Sequence, residues 1–259
     1  SHVLYVQEQD AAGNISSSGS QTIVIDNTAG NAPTVTGTTP SNNTVPTWSW
    51  TSGGGKGYYA YRLDDSNIDG SPSYTTSASF TSSSALSEGL HVLYVKEQDA
   101  AGNWSKAGYF GITVDITKPT RPSFTSGTTA SPAFAKSITW QWQAGSGSNG
   151  YCRYKLDNGS WSAETNVTTY TATLGDGKHT LYVKNRDAAG NWSDSSASTI
   201  DVFLAPTNMK IALANSVVTV SWADNSTSEL GYQLYLSTSS TFDPSKVIKS
   251  FQTPANGTS

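Results

Sequence analysis

The stretch GLHVLYVKEQDAAGNWS, residues 89–105, joins an alternating run to a turn rich in Asp, Gly and Asn. Its first part sets His91, Leu93 and Val95 on one side of an extended chain and Tyr94 and Lys96 on the other, the period-2 pattern of a half-buried strand. Its second part, Asp99 to Asn103, has the chemistry of a hairpin loop. Asp and Asn side chains bond their own backbone, and Gly and Asn tolerate positive φ. The turn recurs as EQDAAGNIS at 8–16 and NRDAAGNWS at 185–193, and the preceding strand as SHVLYV at 1–6 and GKHTLYV at 177–183. Its Asp falls at 10, 99 and 187, intervals of 89 and 88 residues, each the size of one small domain. The turn therefore reads as the joint between the last two strands of a repeated fold.

Working outward, each repeat shows the same framework. Tryptophan strands come first, WSW at 48–50, WQW at 140–142 and VSW at 220–222, with both Trp48 and Trp50 on one face. Polar loops such as TSGGGKG at 51–57 lead to tyrosine strands, YYAYRL at 58–63, YCRYKL at 151–156 and YQLYL at 232–236. Closing strands such as QTIVID at 21–26 and GITVD at 111–115 precede linkers that carry Pro33, Pro119, Pro122 and Pro206. No window combines helical periodicity with good helix formers, so the chain reads as all-β with frequent turns.

These residues resemble bacterial immunoglobulin-like repeats, whose pattern runs Y-x-L-D, G-x-H-x-L-x-V, D-A-A-G-N and V-D-x-x-x-P. Residues 28–203 look like two complete copies, and VTVSWADNSTSELGYQLYLS at 218–237 is similar to the first half of a fibronectin type III domain. The resemblance implies tandem immunoglobulin-like and fibronectin type III-like β-sandwiches arranged as an extended rod. The expected parts are residues 1–27, the last strands of one sandwich; 28–116 and 117–203, two complete ones; and 204–259, the first part of the fibronectin type III-like domain. Because the chain opens on a penultimate strand and stops before last strands, we expect a window onto a longer polypeptide, with strand donation by a neighbour as the alternative.

Composition bounds the partners. Charged residues make up 13% of the 259, with a net charge of −4 and no basic run, so nucleic acid is not an expected partner. The single cysteine, Cys152, leaves each domain to its core and its backbone ladders. No stretch reaches the roughly 20 apolar residues that span a bilayer as a helix.

Several residues invite a second reading. Asp99 with Asp115, and Asp187 with Asp201, are hard oxygen ligands that would stiffen a domain junction by binding calcium, a pairing that Asp10 and Asp26 repeat. Two carboxylates fall short of the roughly six to eight oxygens calcium takes unless carbonyls and water supply the rest, and the hairpin role of the turn needs no cofactor. His2, His91 and His179 recur at one strand position and are expected to anchor strand entry through a bond to backbone. Trp50, Trp142 and Trp222 read as core residues, and Trp104 and Trp192 as covers of the hairpin. If Tyr154 and Leu156 face the core, then Tyr151, Arg153, Lys155, Tyr182, Lys184 and Arg186 face outward as a tyrosine and basic stripe, with Trp161 exposed nearby. That stripe is a candidate ligand face for acidic polysaccharide or a partner domain, against the plainer reading of long side chains covering a sheet.

No Ser/His/Asp order recurs, no phosphate loop precedes a helix and no Cys/His cluster has metal spacing, so the chain reads as non-enzymatic. The expected role is a stalk segment of a large extracellular bacterial adhesin or surface fibre, with flanking domains of the same chain as its partners. The alternatives are glycan- or protein-binding accessory modules of a secreted carbohydrate-active enzyme, and a strand-exchanged fibre subunit.

Overall fold

The computed structural model describes residues 1–225, 231–237 and 247–254, so that 226–230 of the fibronectin-like motif lie outside the described residues. Every regular element among the described residues is a strand. The chain divides into two compact units, Ser1–Thr117 and Lys118–Ser259.

The first unit begins with a hairpin of β1 (His2–Val6) and β2 (Gly19–Ile23). Seven strands follow: β3 (Thr34–Thr36), β4 (Thr47–Thr51), β5 (Tyr58–Leu63), β6 (Ser73–Thr75), β7 (Ser79–Thr81), β8 (Gly89–Gln98) and β9 (Gly108–Val114). They form two antiparallel sheets, β3-β4-β7 and β6-β5-β8-β9. On β4 the two tryptophans are buried while Thr47, Ser49 and Thr51 are exposed, and on β8 His91, Leu93, Val95 and Glu97 turn inward. The inward sets meet in one core of Val35, Trp48, Trp50, Tyr59, Leu93, Val95 and Ile112, drawn from both sheets. A face-to-face sandwich results, closed across its middle by Trp48 Nε1, which donates to the Phe110 carbonyl at 3.0 Å.

The second unit repeats the plan. Its strands are β10 (Ser123–Phe124), β11 (Ser137–Gln143), β12 (Cys152–Leu156), β13 (Thr169–Thr173), β14 (Gly177–Asn185) and β15 (Ser196–Val202), in sheets β10-β11-β13 and β12-β14-β15. Trp140, Trp142, Cys152, Leu181, Val183, Ile200 and Val202 fill the core, and Trp140 Nε1 donates to the Ser198 carbonyl at 3.2 Å, as Trp48 does to Phe110. Two further hairpins follow, β16 (Thr207–Ala214) with β17 (Val217–Ala223), and β18 (Gly231–Ser237) with β19 (Val247–Pro254). Trp222 is buried there and meets the Tyr232 ring edge-on at 5.2 Å.

Both sandwiches bind their first segment to their last strand in parallel. Ser41 N donates to Thr113 O at 2.9 Å and Asp115 N to Ser41 O at 3.0 Å, while Thr113 N reaches Thr39 Oγ1 at 2.9 Å. In the second copy Ala133 N donates to Asp201 O at 2.7 Å, Phe203 N to Ala133 O at 2.8 Å, and Asp201 N to Ser131 Oγ at 3.0 Å. Bond for bond the two patches coincide.

Candidate functional site

The repeated turn is closed by its own side chains. Asp99 Oδ1 accepts from Asn103 N at 2.8 Å and Oδ2 from Asn103 Nδ2 at 2.9 Å, while Gly102 takes φ +100°, a conformation that suits glycine. Asp10 and Asp187 bind Asn14 and Asn191 in the same way. The Ser that ends each motif ties the turn back to its strand: Ser105 Oγ accepts from Glu97 N at 3.0 Å and donates to Lys106 O at 2.8 Å, and Ser16 and Ser193 repeat both bonds. The Asn103 bonds hold the Asp99 carboxyl below its ordinary value, and Asn14 does the same for Asp10.

Asp99 and Asp115 do not come together, which corrects the pairing expected of them. The register of β8 and β9, from Gly89 opposite Val114 to Val95 opposite Gly108, puts the turn at one end of the hairpin and Asp115 at the other. At about 3.3 Å per residue the two are roughly 30 Å apart. Asp187 and Asp201 are separated likewise along β14 and β15, where Gly177 lies opposite Val202. Asp115 Oδ1 instead accepts from Thr117 N at 3.0 Å. Among the described residues no group of three or more His, Cys, Asp or Glu is arranged to hold a metal ion.

Two buried polar anchors fix the loop beside the turn. Glu97, at 2% exposure, accepts from Ser52 Oγ and Gly53 N at 2.8 Å and from Gly57 N at 3.1 Å, gathering the loop 51–57 around one carboxylate. Burial pushes its pKa up, but the bonds from Ser52, Gly53, Gly57 and Gly55 outweigh burial and hold it below the usual value. The second copy has Asn185 at this place, whose Oδ1 accepts from Gly145 N and whose Nδ2 donates to Thr120 O, both at 3.2 Å. Gly53 and Gly145 are obligatory in these loops, since a Cβ would stand 1.9 Å from the Asn31 or Thr120 carbonyl oxygen.

The strand-entry histidines bridge two acceptors. His91 Nδ1 lies 2.7 Å from Asp64 Oδ2 and Nε2 lies 2.9 Å from Ser87 O; His179 lies 2.9 Å from Asp157 Oδ2 and 3.3 Å from Gly175 O. The other oxygen of each Asp accepts a strand amide, Val92 N or Thr180 N, at 2.7 Å. At His91 the Asp64 bond, opposed by burial and helped by the Ser87 carbonyl, raises the pKa and favours the protonated ring. Asp64 and Asp157 are the Asp of the Y-x-L-D pattern, directly after each tyrosine strand, and their bond to the histidine is what the sequence alone does not reveal.

The outer face of the β12-β14-β15 sheet gathers most of the tyrosine and basic stripe. Arg153 pairs with Lys184 across the strands and Lys155 with Tyr182. The Arg153 guanidinium lies 4.9 Å from the Trp192 ring centre; Lys184 lies 5.2 Å from Trp192 and 4.6 Å from Trp161; Lys155 lies 5.6 Å from Trp161 and 5.0 Å from Tyr182. Cations and rings thus alternate in the order Arg153, Trp192, Lys184, Trp161, Lys155, Tyr182. Trp161 is half-buried within this ladder and not the free aromatic expected, and Trp192 belongs to the ladder as well as to the hairpin. Arg186 stands apart in an ion pair with Glu164 at 2.8 Å, and Tyr151 is exposed beyond the ladder. Burial and the neighbouring Arg153 charge pull the Lys184 pKa down.

The matching face of the first sandwich is built differently. Tyr58, Tyr74 and Trp104 lie within 5.7 to 6.0 Å of one another, and Tyr94 pairs with Tyr109 at 5.7 Å. Arg62 and Lys96 are neutralised there, Arg62 by Asp65 at 2.7 Å and Lys96 by Asp69 at 2.6 Å, while Lys56 lies 5.8 Å from the Tyr58 ring centre.

Residues 115–202 match the sequence family described as a bacterial Ig-like domain. No curated protein matches the chain. Among solved structures it is similar to the fibronectin(III)-like modules of Clostridium thermocellum CbhA, at 16% identity over 66% of this chain and 95% of that one, with a TM-score of 0.42. It is also similar to the FN1–FN3 domains of chicken CNTN1, at 13% identity over 89% and 87% of the two chains, with a TM-score of 0.26. Residues 115–202 thus carry the sequence pattern of a bacterial Ig-like domain, and residues 28–114 repeat its strands, its turn and its core.

Proposed function

We propose that the chain is a non-catalytic, load-bearing spacer segment of a large extracellular bacterial surface protein. The observation that carries this reading is the parallel patch in each sandwich, Thr39 and Ser41 on Thr113 and Asp115, and Ser131 and Ala133 on Asp201 and Phe203. A module pulled through its two ends is loaded along this patch in shear, because the first segment and the last strand are drawn in opposite directions. All the bonds of the patch then resist together, whereas an antiparallel hairpin pulled from one end opens a bond at a time. The self-closed turns and buried anchors add local rigidity that requires no ligand.

Single-molecule pulling of the full chain through its ends tests the proposal. Two strong unfolding events are expected, each releasing about 300 Å of chain for a module of this size. Ser41→Pro removes the amide that binds Thr113 O and should lower the force of one event only; Ala133→Pro should lower the other. If a proline variant loses its event altogether, Thr39→Val, which removes only the hydroxyl acceptor for Thr113 N, carries the test. Forces that none of these substitutions changes would overturn the reading.

A further inference from the structure

We propose that the outer face of the β12-β14-β15 sheet binds an anionic polysaccharide, with Arg153, Lys184 and Lys155 as its charged contacts. This role is additional to load-bearing and does not depend on it.

The first observation is uncompensated charge. Among the described residues none of these three cations has a carboxylate within ion-pair distance, whereas Arg186 beside them has Glu164. The two sandwiches provide an internal comparison, since Arg62 and Lys96 occupy the corresponding face of the first and each has its own aspartate. Those aspartates, Asp65 and Asp69, lie in the connection after β5. The connection after β12 carries no acid between Asp157, which is bound to His179, and Glu164, which is bound to Arg186; it brings Trp161 instead. The second copy therefore holds three positive charges together in a chain whose net charge is −4.

The second observation is how those charges are held. Arg153 and Lys184 face each other across the strands, an arrangement that costs energy through like-charge repulsion. The rings of Trp192, Trp161 and Tyr182 stand between the cations, favouring them electrostatically and restricting their rotamers. A cation held in this way loses less side-chain entropy when it meets an anion. The face is thus prepared for negative charge and supplies none of its own.

The third consideration selects the class of anion. A duplex carries one negative charge about every 1.7 Å and binds through many phosphate contacts, which three cations on one strip do not supply. A polymer of sugar rings with spaced carboxylate or sulfate groups offers moderate charge together with apolar ring faces. The strip offers the complement, cations alternating with aromatic rings, and the exposed Tyr151 extends it beyond Arg153.

The test measures binding of the full chain to polygalacturonate, with neutral dextran, duplex DNA and polyglutamate as comparisons, at low and physiological ionic strength. The expected result is binding to polygalacturonate that weakens with salt, with none to dextran. The double variant Lys155→Gln/Lys184→Gln should weaken that binding about tenfold, the effect of losing two partly exposed charge contacts. Arg62→Gln, on the corresponding face of the other sandwich, should leave it unchanged. The near-ultraviolet signal of the tryptophans checks that the face is intact, and Lys155→Gln alone keeps the test valid if the double variant perturbs it. No binding at low salt, binding indifferent to the lysine substitutions, or equal binding to DNA or polyglutamate would each overturn the assignment.

Discussion

Replacing Glu97 by alanine isolates the energetic role of one buried carboxylate. The substitution strands the amides of Gly53 and Gly57 and the hydroxyl of Ser52, all of which now donate to Glu97. The hydroxyl can turn to another acceptor; the two amides are fixed by their loop. A buried N–H without a partner costs about 1 to 3 kcal/mol, so the loss is about 2 to 6 kcal/mol, toward the lower end if water fills the space. Glu97→Gln keeps one acceptor but points an NH2 group at donors, and should cost about half as much. Acid separates charge from shape. Because the folded pKa of Glu97 is lowered, its charge contributes fully above the unfolded value and is lost as pH falls through the lower folded value. Wild type should therefore lose more stability on acidification than Glu97→Gln, and the gap between them should close. Hydrogen exchange of the full chain, followed on peptides covering residues 51–58 and 89–98, reports the opening free energy locally. Opening energies unchanged to within about 0.5 kcal/mol in Glu97→Ala, or an equal acid loss in the glutamine variant, would refute the reasoning.

Further outcomes can be checked with the same protein. His91 should titrate above the usual histidine value by NMR; since its folded pKa is raised, its contribution is full below the unfolded value and is lost as pH rises through the folded one. A His91 that titrates at or below the ordinary value would contradict the bridge to Asp64. Trp48→Ala and Trp140→Ala should each destabilise their own sandwich by about 3 to 5 kcal/mol in denaturant unfolding, because both side chains are fully buried. Gly102→Ala forces a side chain into positive φ and should cost about 1 to 3 kcal/mol, seen as a lower melting temperature of the first sandwich.

The strands were legible in the sequence because each buries one face, and alternation records which one: Trp48 and Trp50 on β4, Leu93 and Val95 on β8. The turn was legible because Asp, Gly and Asn each have a local role that needs no distant partner. What escaped depends on partners far apart in the chain. Asp64 meets His91 from 27 residues away and Glu97 meets Ser52 from 45, distances at which local pattern is silent. The stripe of Arg153, Lys155, Tyr182 and Lys184 could be drawn from alternation alone. Trp192 could not be added to it, since its place depends on how the hairpin folds back over β14.

The two copies solve one problem with polar anchors of different kinds, and that difference bears on how such a chain avoids misassembly. Neighbouring domains of like sequence can exchange hairpins while folding, and the products bury the same apolar faces as the native ones. Glu97 is suited to a ring of donors; moved into the other sandwich, its carboxylate would face the Thr120 carbonyl, acceptor against acceptor. Asn185, moved the other way, would offer a single oxygen where Ser52, Gly53 and Gly57 all donate to the Glu97 carboxylate. The apolar framework makes the repeats alike enough to share a fold, and one buried position makes their hairpins poor substitutes for each other.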